Sequence, residues 1–279
     1  SQHTPRGAMS CLGKIVSSPL HPSMVTECVA NIIFRHTIIS SGADFIEKRH
    51  NTQYTGDRDK RMAELKNEKD KLNHLAGKSR FFVTLFEPPT HPTFNADSLY
   101  LTYDREIDLF EATKPKSQLK PLLVDQRNDI NNQLAQALQY LFDHDIVHGD
   151  LKPENILVKI ENKSVMLRIC DFGNAHYRRE LAYPFYGGTI SYRAPEVLLT
   201  SILHFASDIW SLALIFFYLD NQRKDLFYFE DQEKEVERFI GFTDNPSVFK
   251  EHLEEKSLSK FAKKMLHLNP EKRATHQEV

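Results

Sequence analysis

The chain of 279 residues is short of cysteine, of long apolar runs, of surplus charge and, in one stretch, of glycine. Its three cysteines, Cys11, Cys28 and Cys170, show neither pairing nor metal-ligand spacing, which argues against a disulfide scaffold and fits a reducing compartment, the cytoplasm. Cys170 reads as a small apolar core residue rather than a redox centre. No apolar run approaches the roughly 20 residues that cross a bilayer, so no membrane span is expected. A formal net charge of −2 leaves no basic surplus for nucleic acid or an anionic membrane. Residues 1–12 lack the basic and apolar blocks of a signal peptide and are expected to form a flexible tail. No glycine lies between Gly13 and Gly42. There are no internal repeats and no low-complexity segments.

What remains is ordinary globular material, 41% hydrophobic and 27% charged, long enough for one large domain or two lobes. Residues 29–39, 81–86 and 99–103 read as strands. Between the first two, the Lys- and Glu-rich stretch 57–75 carries Met62, Leu65, Leu72 and Leu75 at helical spacing, giving one amphipathic helix. A second helix is expected over 122–144, marked by Ile130, Leu134, Leu138 and Leu141. Residues 156–158 and 165–169 suggest a hairpin, and 206–219, 234–240 and 258–267 further helices. Strands first and helices afterwards predict an α+β chain.

The chemistry is concentrated in residues 148–155, HGDLKPEN, which set a carboxylate (Asp150), a cation (Lys152) and a carboxamide (Asn155) on one loop after a helix. Asp171-Phe172-Gly173 and Ala194-Pro195-Glu196 follow in order. The run resembles the catalytic loop, metal-binding DFG and APE segments of eukaryotic-type protein kinases, from about residue 99 to the end. That resemblance implies a bilobal fold, with a β-rich lobe over 13–104 and a helical lobe over 105–279. It further implies ATP and Mg²⁺ as cofactors and a protein as substrate. Asp150 takes the place of the base, Lys152 that of the charge stabiliser, and Asn155 and Asp171 those of the metal ligands. Lys152 within DLKPEN and Thr189 in GTISYRAPE are similar to the Ser/Thr class. Asp208 resembles the residue that braces the catalytic loop, and Glu196 and Arg273 resemble the buried pair of the helical lobe. HGD also resembles the loop of small-molecule phosphotransferases, but the DFG glycine and the 188–196 segment favour the protein kinases.

The nucleotide end departs from the family pattern. Lys48, in Phe45-Ile46-Glu47-Lys48, is the best match to the phosphate-gripping lysine, with Glu68 as its partner and Glu64 as the alternative. Residues 103–107 fit the hinge that reads adenine through its backbone, so Tyr103 and Asp104 are expected beside the base. The glycine-rich phosphate cover should fall at 26–31, which reads TECVAN. Either ATP is held mainly by Lys48 and the metal, or an activating partner or second copy completes this lobe, or the chain is a pseudokinase kept for binding. A glycine-poor upper lobe is also compatible with a viral or bacterial effector acting in a host cytoplasm. Gly149 stands where many kinases carry the arginine that receives an activation-loop phosphate. Activity is therefore expected not to require that phosphate, with Arg178 and Arg179 as the alternative receivers.

Overall fold

A computed structural model describes residues 31–38, 40–52, 56–88 and 94–279, together with the backbone of 9–10 and 13–19. The chain divides into two units, Ser1–Glu106 and Ile107–Val279. The first is built on an antiparallel sheet and the second is mainly helical, so the chain is α+β.

In the first unit, five strands pair in sequence order: β1 (Met9–Ser10), β2 (Gly13–Pro19), β3 (Asn31–Ile38), β4 (Ala43–His50) and β5 (Leu99–Thr102). Met9–Ser10, inside the expected tail, pairs with Gly13–Lys14, while 1–8 and 11–12 lie outside the described residues. Successive side chains of a strand point to opposite faces. Phe45 and Glu47 therefore share one face of β4, and Ile46 and Lys48 the other. Phe45 stacks on His36 (4.9 Å) and Phe86 (4.6 Å), while Glu47 is buried between His36 Nε2 (2.8 Å) and Ser98 Oγ (2.8 Å). Helix α1 (Arg58–Leu75) starts at Asp57, whose side chain accepts from the Lys60 amide. It buries Leu65, Glu68, Leu72 and Leu75 and packs against β4. Residues 81–86, expected as a strand, join β5 through a bridge at Leu85, the bonds Phe86 N to Tyr100 O and Thr102 N to Thr84 O, and a Thr84–Thr102 hydroxyl contact (2.8 Å), without forming a regular strand.

The second unit opens with β6 (Ile107–Asp108) and the short helices α2 (Leu109–Ala112) and α3 (Lys120–Asp125), followed by α4 (Arg127–Asp143). The single helix expected over 122–144 is thus broken at Gln126. The physical reason is that the Gln126 carboxamide is taken by the turn of a hairpin, accepting from Val165 N and donating to Lys163 O. Strand β7 (Ile146–Val147) leads to the 148–155 loop, after which β8 (Ile156–Glu161) and β9 (Ser164–Ile169) form that hairpin. β10 (His176–Tyr177) pairs back onto β7. Helix α5 (Pro195–Thr200) precedes α6 (Phe205–Asp220), the core of the unit, where Ile209, Trp210, Leu212, Ala213 and Ile215 are fully buried. α7 (Gln232–Asp244), α8 (Pro246–Glu254) and α9 (Lys260–Met265) complete the unit. Trp210 gathers Phe227 (5.7 Å), Phe239 (5.7 Å) and Phe249 (6.1 Å) around it. α7 is longer than expected, α8 was not anticipated, and α9 starts late because Ser259 caps it through the Ala262 amide. Among the described residues no helix is long and apolar enough to cross a membrane.

Candidate active site

The loop over residues 148–155 is held from below by α6. Asp208, fully buried, accepts from His148 N (2.7 Å) and Gly149 N (3.0 Å), so one carboxylate fixes two consecutive peptide groups. Burial raises its pKa, and the His148 ring and the two amides oppose the rise. Gly149 turns the chain at φ +78°, and a Cβ there would stand 2.8 Å from the Asn174 carbonyl oxygen, so glycine is needed at this position. His148 Nδ1 accepts from Asp150 N (3.2 Å), which leaves Nε2 to donate to Cys170 O (3.0 Å). Cys170 itself is half-buried.

Three side chains then meet at one hydroxyl. Thr189 Oγ1 donates to Asp150 Oδ1 (2.6 Å) and accepts from Lys152 Nζ (2.8 Å), and Lys152 Nζ lies 3.7 Å from Asp150 Oδ2. Burial raises the Asp150 pKa, partly offset by Lys152 and by the Thr189 hydroxyl, with Asp171 adding to the rise. A carboxylate whose pKa is lifted toward the working pH is a better proton acceptor.

Asn155 and Asp171 are brought together by the β8–β9 hairpin. Ile156 pairs with Ile169, and Cys170 N donates to Asn155 O (3.0 Å), so the two residues flank the end of one ladder. Asn155 Nδ2 donates to Asp150 O (2.8 Å), which turns its carboxamide oxygen the other way. Asp171 sits at φ +63°, unusual for a non-glycine residue, with Phe172 fully buried behind it against the His148 ring (4.9 Å). Two hard oxygen donors on adjacent backbone suit Mg²⁺, which keeps several waters and needs few protein ligands.

In the first unit, Lys48 Nζ meets Glu68 Oε2 at 2.7 Å, with the Glu68 side chain 1% exposed and that of Lys48 12%. Glu64, the alternative partner, is engaged by Arg61 instead (2.8 Å). Ile46 is buried on the same face of β4 as Lys48. Tyr103 and Asp104 follow β5. The Tyr103 hydroxyl donates to Glu106 O (3.3 Å), and the Asp104 amide donates to Glu106 Oε2 (2.9 Å). The Asp104 N–H is therefore already used by Glu106 in this structure. Of the expected phosphate cover at 26–31, all but Asn31 lies outside the described residues.

A protein kinase domain profile matches residues 38–279. The chain belongs to the protein kinase family. Similar curated proteins include mitogen-activated protein kinase 10 of Arabidopsis thaliana, 32% identical over 186 residues, which are 66% of this chain and 44% of that protein. Mitogen-activated protein kinase 4a of Physcomitrium patens is 31% identical over 203 residues, 67% of this chain and 52% of that protein. A serine/threonine-protein kinase of Drosophila persimilis is 34% identical over 143 residues, 46% of this chain and 18% of that protein. The chain spans about half or less of the length of these relatives.

Within this kinase domain the segment between DFG and APE has anchors that short motifs do not reveal. Arg178 bonds Asp145 (2.6 Å) and lies over Phe205 (4.5 Å), and Arg179 lies over Tyr177 (4.3 Å). Arg193, before APE, is clamped by Glu235 of α7 (2.7 Å), which also accepts from Ser191 N (3.1 Å). Glu235 was missed in sequence, because an acidic residue near the start of a surface-looking helix carries no signal of burial. The Glu196–Arg273 pair is present as expected: Arg273 donates to both carboxylate oxygens (2.7 and 2.6 Å).

Proposed function

We propose that this kinase domain transfers the γ-phosphoryl group of ATP to a serine or threonine hydroxyl of a protein. The observation that carries the reading is the Asp150–Thr189–Lys152 cluster, which holds a base and a cation in fixed relation. Asp150 would accept the proton of the attacking hydroxyl as its oxygen bonds to the γ-phosphorus and the bond to the leaving ADP oxygen breaks. Lys152 sits close enough to Asp150 to neutralise the negative charge that develops on the transferring group. Asn155 and Asp171 would hold Mg²⁺, which would supply positive charge against the phosphate groups. Lys48, oriented by Glu68, would grip the α- and β-phosphates. Tyr103 and Asp104 would border the adenine. Lys152 in its DLKPEN setting and its bond to Thr189 support Ser/Thr rather than Tyr as acceptor. With the glycine-rich cover absent from the sequence, an activating partner or second copy would complete the nucleotide end.

The test is transfer of labelled γ-phosphate from Mg-ATP to a generic protein and to the chain itself, with Asp150→Ala and Lys48→Ala in parallel. Transfer that vanishes in Asp150→Ala supports the reading, and loss in Lys48→Ala secures the phosphate grip. A folded parent that transfers nothing, alone or with candidate partners, would sink it in favour of a binding module. Turnover of a small metabolite with proteins ignored would point to a small-molecule kinase.

A further inference from the structure

We propose that Phe185 is a positioning residue that orders the segment between DFG and APE by apolar packing, in place of a phosphate held by an arginine. The inference rests on the reading above and extends it to regulation. Three aromatic residues lie close together in this segment, and two of them, Tyr183 and Tyr186, are 71% and 76% exposed. Phe185 between them is 4% exposed. Its ring lies 3.3 Å from where a Cβ on Gly149 would stand, and only 2.5 Å from a Cβ on Gly187. Leu203 borders the same notch, and the His176 ring closes it edge-on at 5.1 Å. The Phe185 amide donates to Ser201 O (2.8 Å), fixing the backbone beside α5.

The notch exists because both neighbours lack side chains. Any residue at Gly149 larger than glycine would meet the Asn174 carbonyl, and any at Gly187 would meet the ring itself. Phe185 therefore packs directly beside Gly149, the position at which the sequence lacks an arginine to receive a phosphate. Four residues on, the chain reaches Thr189, whose hydroxyl joins Asp150 to Lys152. Between them Gly188 turns at φ +85° against the Arg193 stem. Ordering at Phe185 is thus passed over a few residues of backbone to the base and its cation, and it needs no modification. Burial of the ring is non-directional, is not screened by salt and does not depend on a phosphate, unlike a charge-assisted pair.

The experiment compares phosphatase-treated parent, Phe185→Ala, Phe185→Leu and Gly187→Ala. Hydrogen exchange over residues 183–192 is read together with kcat and with KM for ATP. The expected result is a protected segment and full activity in the treated parent. In Phe185→Ala the segment loses protection and kcat falls on the order of 100-fold, as a misplaced reacting group does, while KM for ATP holds. Phe185→Leu restores most of both. Gly187→Ala, whose Cβ would press on the ring at 2.5 Å and on Asn174 Oδ1 at 2.7 Å without removing either, reproduces the loss and answers the case in which Phe185→Ala fails to fold. Loss of protection on phosphatase treatment would overturn the proposal. So would parental exchange and kcat in folded Phe185→Ala or Gly187→Ala. A parent that transfers no phosphate defeats the kinase reading alone, and the exchange comparison still decides the role of Phe185.

Discussion

Replacing Arg273 by methionine should be among the most damaging single changes in the second unit. The guanidinium is fully buried and donates four bonds: two to Glu196, one to His267 O (2.8 Å) and one to Ala206 O (2.9 Å). It also lies over the Trp210 ring at 5.1 Å. Methionine keeps much of the stem but leaves the Glu196 carboxylate in the interior with Ser207 Oγ as its remaining side-chain donor (2.7 Å). Breaking a buried pair by removing one partner costs about 3–5 kcal/mol, because the stranded charge has lost water and gained nothing. With the His267 and Ala206 carbonyls also losing their guanidinium donor, the upper half of that range is expected. Urea unfolding followed by tryptophan fluorescence reads the effect directly, since Trp210 sits beside the pair. The double variant Arg273→Met with Glu196→Gln should cost less than the sum of the two single changes, because no charge is left unpaired. A loss below about 1 kcal/mol for Arg273→Met alone, with an unchanged denaturant slope, would refute the argument that this pair staples α5 to the end of the domain.

Gly149→Ala places a Cβ at a left-handed φ and against a backbone oxygen, so a loss of about 1–3 kcal/mol is expected in thermal unfolding. A neutral result would show that the loop can relax. Thr189→Val removes a hydrogen bond that lowers the Asp150 pKa, so that pKa should rise further. As the proposed base, Asp150 would act only when ionised, so the acid limb of the kcat–pH profile should move to higher pH, and an unmoved limb would contradict the assignment. His276 is half-buried, stacked on Phe142 (4.5 Å), and desolvation pushes its pKa down from 6.5 to about 4. The unfolded chain therefore binds the proton first, and stability should fall by about 3 kcal/mol as pH drops from 6.5 through 4. His276→Phe should flatten that slope, as measured by urea midpoints across the range.

The sequence by itself determined the chemistry-bearing loop, the DFG and APE landmarks, and three long-range pairings: Lys48 with Glu68, Glu196 with Arg273, and Asp208 with the catalytic loop. The landmarks were legible from residue type and spacing within short motifs, whereas the pairings, up to 77 positions apart, were legible only through the resemblance of the sequence to the kinase family. Helical periodicity likewise located α1 and α4, where one face must be apolar over several turns. The tertiary structure alone decided the rest. Nothing local distinguishes Phe185 from Tyr183 and Tyr186, and the notch that selects it is made by Gly149 and Gly187. Glu235 looks like a solvated helix residue until Arg193 is folded onto it from 42 positions away. Gln126 breaks a helix because a hairpin nearly 40 residues later claims its carboxamide. In each case the deciding energy is a contact between segments distant in sequence. Such contacts are invisible to local pattern and become available only once the chain has closed on itself.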